Sequence, residues 1–489
     1  MLRSLVKDSA VYAVGTIASR LVGFIMIPIY TRVLTPADYG IIETIVRLVD
    51  VIGLFLALGL AEALLRHYYL AKDEQERRRL IATVFNLNLV VVIVGSLLTL
   101  PASPYLARLA FGHERYAHYV TISLISMLVG NLIELPLTLW RAEGKAWRFT
   151  TISLCRLSTQ LATNIVLVVW LRWGVWGVVL SGLINASVWS FVLGVLVRLR
   201  YGGAFDMQWV KPVLRYGLPL VPASLSQFIL HFSDRFFLTR YASESELGLY
   251  SLAYRFGMLV SVFYGIVSMA WAPWAFRVGA QEEGAYHLQR AISLILLGFA
   301  LVASGIILFA RPAIHLMSAT RFWGAADYVP PLAGAYWFFV AQGPLSVGAR
   351  LSNRTDALAG ANILSALLCL LLSMWLIPLY RAWGAAWVTM ASFIALASAS
   401  YVVSQRYYRV GLSLGTMLVS ILLMLAAAAV DLSMRHGGAW QLAGRLVAAT
   451  MLLGVVFWQV RQRYSLPSVV ALWRRSKQAR AVTRMQQGM

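Results

Sequence analysis

Charged side chains stand inside long apolar stretches of this sequence, where a membrane would make them costly. Five of them are the arginines Arg20, Arg47, Arg156, Arg235 and Arg255. A charge near the bilayer centre costs about 2.5 to 3.5 kcal/mol on insertion scales, so one that is present normally faces a wet interior. The guanidinium group can donate two hydrogen bonds at once to a phosphate. Because these arginines outnumber the nearby acids, they predict a cationic central cavity that binds an anionic substrate.

Carboxylates in the same stretches are candidates for binding a coupling ion: Asp50, Glu134 and Asp234. Glu43, Arg47 and Asp50 stand at i, i+4 and i+7, which puts them on one helical face, where the acids partly neutralise the guanidinium. Polar stripes of this kind are typical of helices that line a hydrated cavity. The alternative is that the arginines only pair with acids to hold helices together, or reach to the membrane surface. Whether H⁺ or Na⁺ is coupled stays open.

The composition excludes a soluble protein. Of 489 residues, 60% are hydrophobic and 13% are charged, and the mean hydropathy is +0.72, which is more apolar surface than one soluble core can bury. Two cysteines exclude a disulfide-stapled secreted domain. The net charge of +22 is typical of cytoplasmic loops facing lipid headgroups, and a nucleic-acid partner is not expected.

The apolar runs predict an all-α polytopic membrane protein with about 14 transmembrane helices. The predicted spans are 9–30, 41–65, 80–101, 117–140, 149–171, 176–197, 213–239, 248–274, 290–310, 330–350, 358–379, 385–405, 415–433 and 442–460. The N-terminus, alternate loops and tail hold 27 of the 42 Lys and Arg, and the opposite loops hold 10. By the positive-inside rule both termini are cytoplasmic.

An internal repeat divides the chain. A shift of 208 residues places Thr31-Arg32, Gly40 and Arg47 on Thr239-Arg240, Gly248 and Arg255. Six spans per unit is an even number, so duplication predicts two lobes related by an axis along the membrane normal, with a cleft between them. The expected domains are an N-terminal six-helix lobe (1–212), a C-terminal six-helix lobe (213–410), helices 13 and 14 (411–460) and a basic cytoplasmic tail (461–489).

Motifs for other chemistry are missing. The sequence has no G-x-x-x-x-G-K-[ST] loop, so any transport must be driven without a nucleotide motor of its own. Cys155 and Cys369 have no metal-ligand spacing and are expected to pack as small apolar residues. No catalytic residue, metal or cofactor is predicted, and the short outer loops argue against an enzyme.

The segments Lys7-Asp8-Ser9 and Pro28-Ile29-Tyr30-Thr31-Arg32-Val33-Leu34-Thr35-Pro36-Ala37-Asp38-Tyr39-Gly40 resemble Wzx-type polysaccharide and O-antigen flippases. These belong to the multidrug/oligosaccharidyl-lipid/polysaccharide exporter superfamily. The resemblance implies a flippase of the bacterial inner membrane that moves undecaprenyl-diphosphate-linked oligosaccharide across the bilayer by alternating access, for cell-surface polysaccharide biosynthesis. Membrane lipids, and a polysaccharide polymerase and chain-length proteins, are the partners it implies. In relatives, cavity arginines are thought to hold the diphosphate or acidic sugars.

Two other functions stay open at this point. A multidrug or cation antiporter of the same superfamily would share the architecture but should favour acidic cavity residues. A membrane polysaccharide polymerase or ligase would need a substantial outer loop with catalytic residues, so it is the weaker alternative. The glycan, the coupling ion, the oligomeric state and the role of helices 13 and 14 are not readable from the sequence.

Overall fold

A computed structural model describes residue 24 and residues 26–435 and 441–463. Arg20, most of the predicted first span and most of the predicted tail 461–489 lie outside these residues. Within the described part, every regular element is a helix. The α-helices are α1 Pro36–Ala57, α2 Leu60–Leu70, α3 Glu74–Thr99, α4 Ser103–Phe111, α5 Ala117–Ala142, α6 Ala146–Asn164, α7 Gly174–Tyr201, α8 Met207–Gly217, α9 Leu220–Tyr241, α10 Glu244–Gly279, α11 Gly284–Met317, α12 Val329–Leu345, α13 Val347–Leu351, α14 Thr355–Tyr407, α15 Leu414–Ser433 and α16 Gln441–Arg463.

Eleven helical segments of the described chain are long and apolar enough to cross a membrane. Two of them join consecutive helices, α1 with α2 and α8 with α9. The longest, α14, has 53 residues and contains a non-helical residue, Arg381, which separates two spans. Helix α12 adds a 17-residue segment. The predicted fold class, an all-α multi-pass membrane protein, is confirmed.

Helix α1 shows how the local sequence sets a helix end near the site. The Thr35 side chain accepts a hydrogen bond from the Asp38 amide at 3.1 Å, and the Asp38 carboxylate accepts one from the Thr35 amide at 2.9 Å. This reciprocal pair satisfies two amides that the first helical turn cannot. Pro36 occupies the first helical position, where its missing N–H costs nothing. The start of α1 is therefore fixed, and the helical phase fixes where its polar side chains point.

Apolar side chains form separate packed clusters in the two parts of the chain. The largest cluster is drawn from residues 230–456, together with Ile27 and Tyr39. Three smaller clusters are drawn from residues 41–213. The change between them falls near the predicted boundary at 212/213, and the four-domain division itself stays a prediction.

Two glycines 208 residues apart bring the two parts into backbone contact. A Cβ atom on Gly40 would overlap the carbonyl oxygen of Glu244, and one on Gly248 would overlap that of Pro36. Pro36 and Glu244 are themselves 208 residues apart, so the two contacts are reciprocal under the repeat. Helices α1 and α10 therefore cross at a point where only glycine leaves room.

The two C-terminal helices, α15 and α16, are attached to α11 and to each other by buried ion pairs that the sequence analysis did not predict. Asp431 of α15 accepts hydrogen bonds from Arg311 of α11 at 3.1 and 3.2 Å and from Arg445 of α16 at 2.8 Å. Arg311 also pairs with Asp327 at 2.8 Å. Arg311 directly follows the predicted span 290–310, and Arg445 lies inside the predicted span 442–460. The structure places both inside helices and buried. Both lie close to predicted span ends, and hydropathy alone does not reveal that they share an acid.

Between α5 and α6, a short loop carries a second cluster of charge. Glu143 lies within ion-pair distance of Lys145 and of Arg200, the latter at 3.1 Å, and accepts a hydrogen bond from Tyr201. Burial opposes ionisation, but these donors together hold the pKa of Glu143 below its usual range. The loop is thereby tied to the end of α7.

Candidate functional site

The centre of the candidate site is Glu43 of α1, whose side chain is 6% exposed. Three arginines from three helices surround its carboxylate. Arg47 Nε lies 3.0 Å from Oε1, Arg235 Nε of α9 lies 3.7 Å from the same oxygen, and Arg255 Nη2 of α10 lies 3.6 Å from Oε2. One acid therefore joins helices from both sides of the predicted lobe boundary.

The sequence positions Glu43 and Arg47 on one turn of α1, because i and i+4 side chains lie above one another on a helix. Arg47 also pairs with Asp50 at 2.7 Å on the next turn. Its guanidinium packs 4.1 Å from the ring centre of Phe232, a cation–π contact that holds the group in a defined place. The predicted polar stripe of this span is thus present, and it points toward α9.

Arg235 is the most enclosed member, with a side chain only 1% exposed. Its Nη1 donates to Asp234 Oδ1 at 2.7 Å and to the carbonyl of His231 at 2.9 Å. The guanidinium also lies 3.8 Å from the ring centre of Tyr254. Its Nε is buried and has no hydrogen-bond partner in the described part of the protein. An unsatisfied buried donor of a charged group is costly, which marks this position as one where a further acceptor would be favourable.

Arg255 is held more loosely. Its one ion pair with an acid of the described residues is the 3.6 Å contact with Glu43, and its guanidinium lies 5.1 Å from the ring centre of Tyr39. Its side chain is 30% exposed. Separations of 3.6 to 3.7 Å exceed the range of N–H···O hydrogen bonds. The contacts of Arg235 and Arg255 with Glu43 are therefore charge attractions without hydrogen bonds.

Not every predicted residue joins this site. Arg156 of α6 and Glu134 of α5 interact with each other electrostatically, and Glu134 pairs with Arg141 at 3.1 Å. Neither forms an ion pair with the Glu43 cluster in the described chain. Arg20 lies outside the described residues. The structure thus brings together Arg47, Arg235 and Arg255 with Asp50 and Asp234.

The expected excess of positive charge is not seen among the described residues of the cluster. Three guanidinium groups, of Arg47, Arg235 and Arg255, meet three carboxylates, of Glu43, Asp50 and Asp234. The sequence reading placed Glu43 in a local stripe with Arg47 but did not foresee that it also serves two arginines from other helices. Only folding brings α9 and α10 against α1, so no spacing along the chain carries that signal.

The helices close tightly beside the cluster. Thr44 Oγ1 of α1 and Thr239 Oγ1 of α9 are 3.1 Å apart, and the Gly40–Gly248 crossing lies one turn nearer the start of α1. Next to these contacts, burial and a hydrogen bond to Glu244 raise the pKa of Tyr116 to about 12. The cluster is accordingly shut off at the end of the bundle where α1 and α10 begin.

A separate cavity of about 360 Å³ lies within the first half of the chain, among α1, α5 and α7. Asp50 is the acid that lines it, alongside Ser123 and Ser126. The Asp50 side chain is 46% exposed and forms an ion pair with Arg47. This carboxylate therefore connects the arginine cluster to a pocket that water can reach.

These features define a multi-pass α-helical membrane protein in which charged groups from several helices meet within the bundle. The fold is that of lipid and drug transporters. A structure described as the lipid II flippase MurJ in an inward closed conformation matches with a TM-score of 0.74 at 15% identity, covering 92% of this chain and 99% of that one. An inward-facing multidrug resistance MATE family transporter of the MOP superfamily matches with a TM-score of 0.60 at 17% identity, covering 83% and 95%.

The chain belongs to the family described as polysaccharide biosynthesis protein, which it matches over residues 29–327. It is 22% identical over 309 residues to the succinoglycan biosynthesis transport protein ExoT of Rhizobium meliloti, covering 62% of this chain and 60% of that protein. It is 23% identical over 286 residues to Lsg locus putative protein 1 of Haemophilus influenzae, covering 57% and 67%. The predicted resemblance to polysaccharide exporters is confirmed.

Proposed function

We propose that this protein is a flippase that moves undecaprenyl-diphosphate-linked oligosaccharide repeat units across the bacterial inner membrane for cell-surface polysaccharide biosynthesis. The family and the transporter fold support the general class. The lipid-linked substrate is a more specific proposal than the general class. It is supported by a relative named as a succinoglycan biosynthesis transport protein and by likeness to a structure named as a lipid II flippase. The proposed partners are that lipid, the surrounding membrane lipids, and a polysaccharide polymerase with its chain-length proteins.

The observation that carries the proposal is that two arginines, the buried Arg235 and the partly exposed Arg255, have incomplete sets of partners. Arg235 keeps an unpartnered Nε, and Arg255 has a single long ion pair, both directed at Glu43. A diphosphate offers several charged oxygens at once, whereas Glu43 offers two that three arginines share. Arginine binds such oxygens through two parallel hydrogen bonds. The diphosphate would therefore displace Glu43 from Arg235 and Arg255, and would also accept a contact from Arg47, which keeps its own acids.

The proposed mechanism is alternating access between the two lobes, residues 1–212 and 213–410, with helices 13 and 14 (411–460) and the tail 461–489 appended. In the described conformation the lobes meet at Gly40–Gly248 and again where Gly59 contacts the backbone of Gly217, so substrate entry would require the Gly59–Gly217 end to open. With both termini cytoplasmic, as the basic residues predict, that end faces the cytoplasm. The diphosphate head would enter there, while the lipid tail remains in the bilayer.

The membrane potential favours this direction. An anion that crosses the whole field from a negative interior gains about 2.3 kcal/mol per charge at 100 mV. Asp50, Glu134 and Asp234 remain candidates for coupling an ion. Asp50 is the best placed of the three, because it pairs with Arg47 and also lines the 360 Å³ cavity.

Reconstituted protein tests the proposal directly. Liposomes would contain undecaprenyl diphosphate bearing a fluorescent oligosaccharide, and a membrane-impermeant quencher would report the fraction that reaches the outside with time. We expect the Arg47→Gln/Arg255→Gln variant to flip about 100-fold more slowly, since two charge-assisted contacts of about 1.5 kcal/mol each are lost. In cells, the same variant should abolish polymer export while remaining in the membrane.

A matched control removes the same charge elsewhere. Arg78→Gln/Arg277→Gln replaces two exposed arginines and should flip at the wild-type rate. Equal rates for wild type and for the Arg47/Arg255 variant would refute the role of the cluster. If the wild-type protein transports a lipophilic organic cation and does not flip the labelled lipid, the multidrug alternative is established instead.

A further inference from the structure

A second cationic region lies away from the Glu43 cluster, between the end of α2 and helix α8. It is a cavity of about 640 Å³ whose walls include Arg66, His67, Gln208, Lys211, Arg215 and Tyr216. We call it the inner basic cavity, because the distribution of basic residues predicts that this end of the bundle faces the cytoplasm.

The charges of the inner basic cavity are not compensated. Arg66, Lys211 and Arg215 form no ion pair within the described part of the chain, and no acid is among the residues that line the cavity. The Arg66 guanidinium lies 4.6 Å from the ring centre of Tyr216, and His67 Nδ1 lies 2.8 Å from the carbonyl of Ala63. One cation and the imidazole are thereby positioned, and their remaining donors are free to meet a ligand.

A neighbouring cavity, which shares Gln208 and Pro212 of α8 with the inner basic cavity, shows the contrast. It measures about 520 Å³ and is lined by Lys72 and Arg79, but also by Asp73, Glu76 and Asp206. Its charges are of both signs, as on an ordinary solvated surface. Unbalanced positive charge is thus a property of the inner basic cavity and not of the whole region around α8.

The inner basic cavity also lies next to a second contact between the spans that carry the arginine cluster. Helices α1 and α9 touch at Thr44 and Thr239, and the same pair of spans meets again where Gly59 contacts the backbone of Gly217, at the end of α8. Arg66 follows Arg47 by 19 residues of mostly helical chain, which is about 28 Å at 1.5 Å per residue. The predicted span 41–65 ends one residue before Arg66, which places Arg66 at the depth of the lipid headgroups.

We propose that the inner basic cavity captures the diphosphate headgroup of the lipid substrate before it reaches Arg47, Arg235 and Arg255. This inference rests on the proposed function. A diphosphate fits the observations better than the single phosphate of a bulk phospholipid, because three uncompensated cations match its higher charge. The volume also exceeds what one phosphate group fills, and leaves room for the first sugar.

Binding and flipping can be measured separately on the full-length protein. The probe is undecaprenyl diphosphate, and the comparison lipid is phosphatidylglycerol, each titrated into protein in phosphatidylcholine nanodiscs and followed by native mass spectrometry. The test variant is Arg66→Gln/Lys211→Gln/Arg215→Gln. The control is Arg78→Gln/Arg277→Gln/Arg406→Gln, which removes three exposed charges outside the cavity.

We expect the cavity variant to bind undecaprenyl diphosphate at least tenfold more weakly, the control to bind as wild type does, and phosphatidylglycerol binding to change little. In the flipping assay, the cavity variant should need about tenfold more lipid to reach half its maximal rate, with the maximal rate retained. A loss below tenfold, or an equal loss for phosphatidylglycerol, would overturn the inference.

The outcome is distinguishable from a failure of the proposed function. Should wild-type protein fail to flip the lipid, the function is wrong, whatever the binding result. Should wild-type protein flip it, and the cavity variant do so with unchanged lipid dependence, only the capture site is wrong. The Arg47→Gln/Arg255→Gln variant should show the converse pattern, with headgroup binding retained and flipping lost.

Discussion

Replacing Glu43 with glutamine should loosen the contact between the two lobes. The substitution keeps the shape of the side chain and removes its charge, so Arg47, Arg235 and Arg255 lose their shared anion at 3.0, 3.7 and 3.6 Å. Two of these three contacts join α1 to α9 and α10, on the far side of the predicted lobe boundary. The stability lost is therefore mainly attraction between lobes.

The magnitude follows from these distances. Two unit charges about 4 Å apart attract by about 4 kcal/mol at an effective dielectric constant of 20, and desolvation offsets much of each interaction. Removing one partner from a buried ion pair costs about 3 to 5 kcal/mol, because the other charge stays buried. A loss of about 3 kcal/mol in the closed conformation shifts its equilibrium with an open one by about 100-fold.

Distances between spin labels on the two lobes would measure that shift. Trp147 and Tyr286 are exposed at 74% and 59% and lie on opposite sides of the lobe boundary. Labels on cysteines at these positions, with the two native cysteines replaced by alanine, should give a longer or broader distance distribution in Glu43→Gln than in wild type. The midpoint of thermal unfolding in detergent should also fall by several degrees.

The control is Glu62→Gln, which removes an exposed carboxylate of α2 that has no ion pair among the described residues. It should match wild type in both measurements. If Glu43→Gln has the same label distances and thermal midpoint as Glu62→Gln, the claim that one carboxylate ties the lobes together is refuted.

Three further substitutions test other parts of the structure. Gly248→Leu places a side chain against the backbone of α1; it should lower the thermal midpoint and separate the lobe labels, and unchanged values would contradict the tight crossing. Asp431→Asn leaves Arg311 and Arg445 without a buried carboxylate; it should cost about 3 to 5 kcal/mol, seen as faster proteolysis between α15 and α16. Because the pKa of Glu143 is below its usual range, its stabilising contribution is present at neutral pH and is lost as the pH falls through that lowered value. Glu143→Gln should therefore lower stability by about 1 to 2 kcal/mol at pH 7 and by progressively less as the pH falls through the lowered pKa, and a deficit that does not depend on pH would contradict this.

The spans and part of the site were predictable because both depend on short-range patterns. Apolar runs of about 20 residues are visible without knowledge of the fold. Glu43 and Arg47 are one helical turn apart, so their pairing is local. The 208-residue repeat also put Arg47 and Arg255 in equivalent helices, and both lie against Glu43 in the structure.

The rest of the site depends on which helices become neighbours, and the hydropathy pattern contains little information about helix neighbours. Arg156 and Arg235 have the same status in the sequence, as single arginines in polar stripes, yet only Arg235 meets Glu43. For the same reason the ion pairs of Asp431 were not predicted. Arg311 and Arg445 can both pair with Asp431 only when α11, α15 and α16 pack together.

A balanced charge at the centre is compatible with transport because the lobes must also separate. A closed state held by hydrogen-bonded ion pairs in every direction would resist opening, since breaking each pair leaves a buried charge. Here the hydrogen-bonded pairs lie within a lobe, Arg47 with Glu43 and Arg235 with Asp234, while the pairs between lobes are the longer contacts at 3.6 and 3.7 Å. Among the ion pairs of the cluster, opening therefore breaks only those without hydrogen bonds, and it leaves each arginine of the stronger pairs with its own acid. An incoming diphosphate would compete only for those weaker contacts, so it could bind without dismantling either lobe.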